Sequence, residues 1–159
     1  HRKIALLNIH QSFNYGYQRK ISYERTLKEN NISLDKNYYQ ESLLGSTDNG
    51  IKLTRKLLSL KKPPTAIICS LDKFFIGSLQ ECENQKLNVG KDISIVGYND
   101  YDIFLSTKNL TYVSHPIAQM GIDSVNILNK LENGYNPEEV SKLIKPILHE
   151  GKSDGPLVK

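Results

Sequence analysis

The feature that most constrains the fold of this chain is a regular alternation between short apolar runs and longer amphipathic stretches. Continuous apolar runs at residues 4–9, 65–70, 93–98 and 111–114 have the length and character of strands that are buried on both faces. The stretches between them mix charged residues with apolar residues at helical spacing. Strands and helices joined in turn by short links predict an α/β fold, a doubly wound parallel sheet in a Rossmann-like three-layer αβα arrangement.

Weaker signals predict the edges of this sheet. Residues 37–43 are typical of a short strand, and residues 143–148 predict a last strand. Pro146 lacks the N–H that a central strand needs, so we expect this last strand at a sheet edge. The final residues, 151–159, are polar and rich in glycine, and we expect them to form a mobile tail.

Capping residues and breakers predict where the helices begin and end. Ser46 or Thr47 is expected to cap one helix. Pro116 suits the first turn of another, which we expect to end at Gly134. The apolar stripe of that last helix comprises Ile117, Met120, Ile127 and Leu131.

The sequence carries none of the motifs that would indicate common enzyme chemistry. It contains no GxGxxG, GxxxxGK[ST], GxSxG or HExxH pattern. The four histidines are far apart, and the two cysteines form no CxxC pair, so no metal or cofactor is expected. The alternative is a site assembled from residues that are distant in sequence, which would make the chain an enzyme on the same fold. The cysteine usage favours a reducing cytosol, and no apolar run is long enough to cross a membrane.

Three segments, in order, resemble the effector-binding core of the LacI/GalR family of bacterial transcription regulators. The first is HRKIALL followed by RKISYERTLKENNI, the second is PPTAIICSLDKFFIGSLQECENQKLNVGKDISIVGYND, and the third is LTYVSHPIAQMGIDSVNILNKLENG. Together they cover nearly the whole chain. The resemblance implies a periplasmic-binding-protein-like type I fold, in which two doubly wound lobes enclose an effector.

The resemblance also implies how the chain is divided. Residues 1–114 would form the C-terminal lobe, and 115–137 would form a helix that normally belongs to the N-terminal lobe. Residues 138–150 would return as a strand to the C-terminal lobe. We expect most of the N-terminal lobe and the helix-turn-helix headpiece to lie outside this sequence. The helix at 115–137 would then either dock on another copy of the chain or fray.

Six residues are candidates for contact with the effector, all of them near the ends of predicted strands. By resemblance, Arg19 would reach effector hydroxyls or carboxylates, although it could also be a surface residue at a helix start. Phe13 and Tyr15 could stack on a sugar ring or pack within their own loop. The other three candidates are Leu71, Asp72 and Asn99.

Leu71 and Asn99 depart from the pattern of the family. The family often places Asn where this chain has Leu71, and Asp where it has Asn99. Both changes remove acceptors for neutral sugar hydroxyls, which favours an effector with anionic character. Asp72 is preferred as a helix cap rather than as an effector contact.

The helix after Asp72 would lie at a homodimer interface in the family. Phe74, Ile76 and Gln80 are expected to be exposed there, and Tyr101 would lead toward the same surface. The alternative is that only the core-facing residues of this helix matter, namely Phe75, Leu79 and Cys82.

The resemblance therefore implies an effector-binding, dimerising part of a sugar-responsive repressor rather than an enzyme. Its partners would be a sugar or sugar derivative, a second copy of the chain, and DNA through the headpiece alone. No membrane partner is expected. The alternative is a periplasmic-type sugar-binding protein of a transport system.

Overall fold

The computed structural model describes residues 1–98 and 109–156. Its strands are β1 (Ile4–Ile9), β2 (Tyr39–Ser42), β3 (Ala66–Cys69), β4 (Ser94–Tyr98), β5 (Tyr112–Ser114) and β6 (Ile147–His149). Its helices are α1 (Asn14–Glu29), α2 (Thr47–Leu58), α3 (Asp72–Asn84), α4 (Ile117–Glu132) and the short α5 (Pro137–Val140), and a 3-10 turn (Lys36–Tyr38) precedes β2.

The strands form one sheet in the order β2-β1-β3-β4-β5-β6. The first five are parallel, and β6 runs antiparallel to β5 at the edge. Because Pro146 directly precedes β6, it takes no place in the hydrogen-bond ladder, as the edge prediction requires. The predicted mixed α/β fold with a mostly parallel sheet is confirmed.

Alternate residues of β1 show how the helices cover the two faces of the sheet. Ala5 and Leu7 are buried in the main core, which α2 and α3 complete. Leu6 points the other way and packs with Tyr23 and Leu27 of α1. This two-residue period is the property of a strand that is buried on both sides.

Close contact between α2 and α3 depends on glycine. A Cβ atom on Gly77 would collide with the carbonyl oxygen of Thr47, so a larger residue there would push the two helices apart. Across the same interface Arg55 donates two hydrogen bonds to Glu81, from Nε to Oε1 (2.9 Å) and from Nη2 to Oε2 (2.8 Å). Only 2% of the Glu81 side chain is exposed, against 60% of Arg55.

The structure confirms one predicted cap and corrects another. Ser46 is the N-cap of α2, and its Oγ accepts a hydrogen bond from the Asn49 N–H. The N-cap of α3 is Leu71, which offers no side-chain acceptor. Asp72 is instead the first helical residue, and its Oδ1 accepts from the adjacent Lys73 N–H (2.7 Å). The expectation that Asp72 caps this helix is therefore wrong by one position.

The prediction of a mobile tail is wrong for residues 151–156. Ser153 is 1% exposed, donates its hydroxyl to Ile95 O (2.7 Å) and accepts from Thr111 N (2.8 Å). Asp154 also accepts a hydrogen bond from the Thr111 hydroxyl. These polar contacts pin the segment against the start of β4 and β5, and composition alone could not reveal them.

Helix α4 contrasts with the other long helices because none of its residues is buried. Ile122, Val125 and Leu128 are 57–59% exposed, and Ile117 and Met120 of the predicted stripe are also exposed. An ion pair from Lys142 Nζ to Asp123 Oδ2 (2.7 Å) holds the helix to the segment that follows α5. The described residues thus leave the apolar face of this helix uncovered.

Candidate binding site at the carboxyl edge of the sheet

The carboxyl ends of the parallel strands meet at one edge of the sheet, where α1 and α3 begin. Ligands of open parallel sheets bind beyond this edge, because the loops there carry side chains that a core does not need. Phe13, Tyr15 and Arg19 follow β1, Leu71 and Asp72 follow β3, and Tyr98 ends β4. The predicted residues in the described part of the chain therefore share this edge.

Phe13 and Tyr15 form an exposed aromatic shelf at the start of α1. Their ring centroids lie 5.8 Å apart, and the side chains are 41% and 47% exposed. Phe13 is the extended N-cap of α1 and donates its N–H to His10 O (3.1 Å), which fixes the backbone that carries the shelf. Exposed rings of this kind can stack on the apolar face of a sugar.

Arg19 lies one helical turn further along α1 and reaches across the sheet edge. Its Nη1 donates to the carbonyl of Ser70 (2.9 Å). Its guanidinium carbon stands 4.3 Å from the Tyr98 ring centroid and 5.2 Å from that of Tyr15. Cation–π contacts on two rings and a carbonyl acceptor hold the guanidinium in place, and no carboxylate in residues 1–98 or 109–156 pairs with it.

Tyr98 and His115 complete this row of rings, and the sequence analysis missed both as site residues. The two rings meet edge to face at 5.0 Å. Tyr98 is the last residue of β4 and His115 follows β5 directly, so their positions at strand ends could have suggested them. Asn99, the predicted acceptor, lies outside the described residues, immediately after Tyr98.

Leu71 directly follows Ser70, whose carbonyl accepts the hydrogen bond from Arg19. Its side chain packs against the main core, and Gly45 leaves room for it. Asp72 points its Oδ1 at its neighbour's backbone. Whether either residue touches an effector stays a prediction.

A buried polar cluster joins β1 and β2 beside the shelf. Asn8 is fully buried and donates from Nδ2 to Gly16 O (2.8 Å) and to Tyr39 Oη (3.3 Å). Tyr39 in turn donates to Glu41 Oε2 (2.6 Å), and His10 Nε2 lies 3.5 Å from Glu41 Oε1. Burial, together with the bond to Glu41, raises the pKa of Tyr39, so the phenol remains a donor. This cluster fixes the first turn of α1.

Known proteins are similar to this chain in sequence and in fold. Residues 1–153 match the model of the periplasmic binding protein-like domain. The chain belongs to this family. The ribose operon repressor of Haemophilus influenzae is 30% identical over 141 residues, which are 87% of this chain and 41% of that protein. The transcriptional repressor CytR of Escherichia coli K12 is 26% identical over 91% of this chain and 42% of its own length.

Solved structures agree with this assignment. A regulatory protein of the LacI family from Chloroflexus aggregans superimposes with a TM-score of 0.88 at 27% identity, over 98% of this chain and 56% of that one. A dimeric Lac repressor with a C-terminal deletion gives 0.85 at 25% identity, over 99% and 57%. The resemblance to the LacI/GalR family is confirmed. This periplasmic binding protein-like chain spans about two fifths of the length of the curated relatives.

The expected dimer helix of this LacI/GalR-type domain needs one correction. Phe74 is fully buried in the main core together with Phe75, so it cannot offer an exposed side chain to a partner. The cause is that two neighbours cover α3 here: Phe74 lies against Gly50 of α2, and the Phe75 ring lies against Gly97 of β4. Ile76 is partly buried and Gln80 is exposed, so both stay candidates. Tyr101 lies outside the described residues.

Other groups in the domain are structural. Burial raises the pKa of Cys69 and of Cys82 to about 12, so neither thiol forms a reactive thiolate at neutral pH. Within residues 1–98 and 109–156 no group of His, Cys, Asp and Glu could hold a metal ion. Over the same ranges no helix is long and apolar enough to cross a membrane.

Proposed function

We infer that this chain is the effector-binding and dimerising part of a DNA-binding transcription regulator of the LacI/GalR type, a cytoplasmic repressor of genes for sugar metabolism. The observation that carries this function is the Phe13–Tyr15 shelf beside an immobilised Arg19 at the carboxyl edge of a parallel sheet. The names of the relatives support it, since they are repressors. They also favour it over a transport protein with the same fold.

The proposed division of the chain follows from the uncovered face of α4. Residues 1–114 and the strand within 138–150 form one lobe, and the helix within 115–137 belongs to a second lobe. In an isolated lobe α4 has no buried residue, which is the state expected of a helix whose apolar face packs elsewhere. The effector would bind between the two lobes.

The proposed mechanism is a shift between two lobe arrangements. An effector can change DNA binding only if it binds the two arrangements with different affinity. In one arrangement the shelf and Arg19 face the second lobe closely, and in the other they are more open. Contacts made to both lobes at once would favour the closed arrangement.

The test uses the protein encoded by the complete gene. DNA binding to the upstream region of its own operon is measured with and without candidate sugars, beside the substitutions Tyr15→Ala and Arg19→Gln. We expect at least one sugar to change DNA affinity and both substitutions to reduce that response. A protein that binds no DNA, or whose response ignores both substitutions, would contradict the proposed function.

A further inference from the structure

We propose that the effector is a sugar with an anionic group, a carboxylate or a phosphate, which binds Arg19 while its ring lies on Phe13 and Tyr15. This inference rests on the proposed function and names the class of effector. It takes the anionic character expected from Leu71 and Asn99 to a specific contact, and it depends on the charges around Arg19 at the sheet edge.

Arg19 has no carboxylate partner among the described residues. Arg55 grips Glu81 with two hydrogen bonds, and Arg25 lies 3.8 Å from Glu29 one turn away. Arg19 instead meets a neutral carbonyl and two aromatic rings. A positive charge that is held in place and paired with no carboxylate of the described residues is suited to an anionic ligand.

Arg19 has N–H donors that its bond to the Ser70 carbonyl does not use. A guanidinium carries five N–H donors in a fixed fork, and the Ser70 carbonyl takes one of them. The remaining donors can bind two oxygens of a carboxylate or phosphate side by side. The rings of Tyr15 and Tyr98 limit the rotation of the fork, so less conformational freedom is lost on binding.

Among the described residues, the carboxylates near this edge already have partners. Glu41 accepts hydrogen bonds from the Tyr39 hydroxyl and from Gln11 N, and lies close to His10. Asp72 accepts from Lys73 N. The first turn of α1 contains no acidic residue. An anion on the shelf therefore meets Arg19 without an acidic side chain of that turn beside it.

The aromatic shelf and the Arg19 guanidinium lie side by side. The Phe13 and Tyr15 rings form an apolar surface, and the Arg19 guanidinium carbon lies 5.2 Å from the centroid of the Tyr15 ring. A ligand that uses both needs a ring with an apolar face and an anionic group on one side of it. Uronic acids and sugar phosphates share this chemistry, and neutral hexoses lack the anionic group.

The experiment is isothermal titration of the protein encoded by the complete gene with matched ligands. One arm uses glucuronate and galacturonate, the second uses the corresponding hexose phosphates, and the reference arm uses glucose and galactose. We expect one anionic arm to bind at least about tenfold more tightly than its neutral parent. The arm that does so identifies carboxylate or phosphate as the recognised group.

The variants are chosen so that the role of Arg19 is separated from a general effect of charge. Arg19→Gln should remove the preference for the anion, and Arg19→Lys should keep part of it as a point charge. Arg25→Gln, the same substitution on the exposed face of α1, is the matched control and should leave the preference unchanged. Added salt should reduce the preference of the unsubstituted protein.

Each remaining outcome has a stated meaning. If the neutral sugar binds as tightly as its anionic derivative, or if Arg19→Gln weakens both equally, the anionic effector is refuted while the proposed function stands. If no sugar of any arm binds, and DNA binding does not respond, the proposed function itself fails. Circular dichroism of each variant shows whether a loss of binding is a loss of fold.

Discussion

The ion pair between Arg55 on α2 and Glu81 on α3 leads to a prediction about stability and pH. The hydrogen bonds from Arg55 are the main reason that the pKa of Glu81 falls from 4.5 to about 2, and Gln85 adds a further donor. Because the folded pKa is lower than the unfolded one, the carboxylate stabilises the fold above about pH 4.5. This contribution is lost as pH falls through 4.5 toward 2.

The size of the effect follows from the same two values. The difference between 4.5 and about 2 corresponds to about 3 kcal/mol as an upper bound. The Arg55 side chain is 60% exposed, so water screens the interaction, and about 1–2 kcal/mol is the realistic contribution. More than half of it should disappear between pH 7 and pH 3.

The assay is urea unfolding of the unsubstituted protein and of Glu81→Gln at pH 7 and pH 3. The substitution should lower the free energy of unfolding by about 1–2 kcal/mol at pH 7 and by clearly less at pH 3. Glu83→Gln, on the exposed side of the same helix, is the control and should change little at either pH. An equal loss for Glu81→Gln at both pH values would refute the reasoning.

Four further predictions concern packing, dimerisation and exposure. Phe74→Ala should lower the free energy of unfolding by about 3–5 kcal/mol. Ile76→Glu should weaken a dimer in sedimentation experiments without unfolding the lobe, and an unchanged dimer would count against the interface. Cys69 and Cys82 should react with a thiol reagent only as fast as the protein unfolds, and immediate labelling of either would contradict their burial. In a monomer of the 159-residue chain, the amide hydrogens of α4 should exchange faster than those of α3. If the chain self-associates, α4 should become protected instead. Slow exchange of α4 in a proven monomer would contradict its exposure.

Much of the fold could be predicted because strands buried on both faces leave a continuous apolar signal. The runs that contain β1, β3, β4 and β5 were all found in this way. The Ser46 cap was also predictable, because a capping hydroxyl acts on its own helix. The burial of Phe74 was not, because the apolar pattern of α3 does not show that α2 covers this position while the sheet covers Phe75.

The candidate site was predictable in part. The resemblance gave Arg19, Phe13 and Tyr15, and the structure brings these three together at one edge. The strand-end positions of Tyr98 and His115 could have suggested these two residues, but their contacts join distant parts of the chain, and no local pattern encodes such contacts.

The sequence by itself determined the α/β class, the order of strands and helices, and the family. These depend on local periodicity and on the order of segments along the chain, and neither requires knowledge of tertiary contacts. Only the tertiary structure decided that Arg19 lies on two rings without a carboxylate partner among the described residues, that Ser153 anchors the end of the chain, and that α4 buries none of its residues. These facts depend on contacts between residues that are distant in sequence, and folding alone brings those residues together.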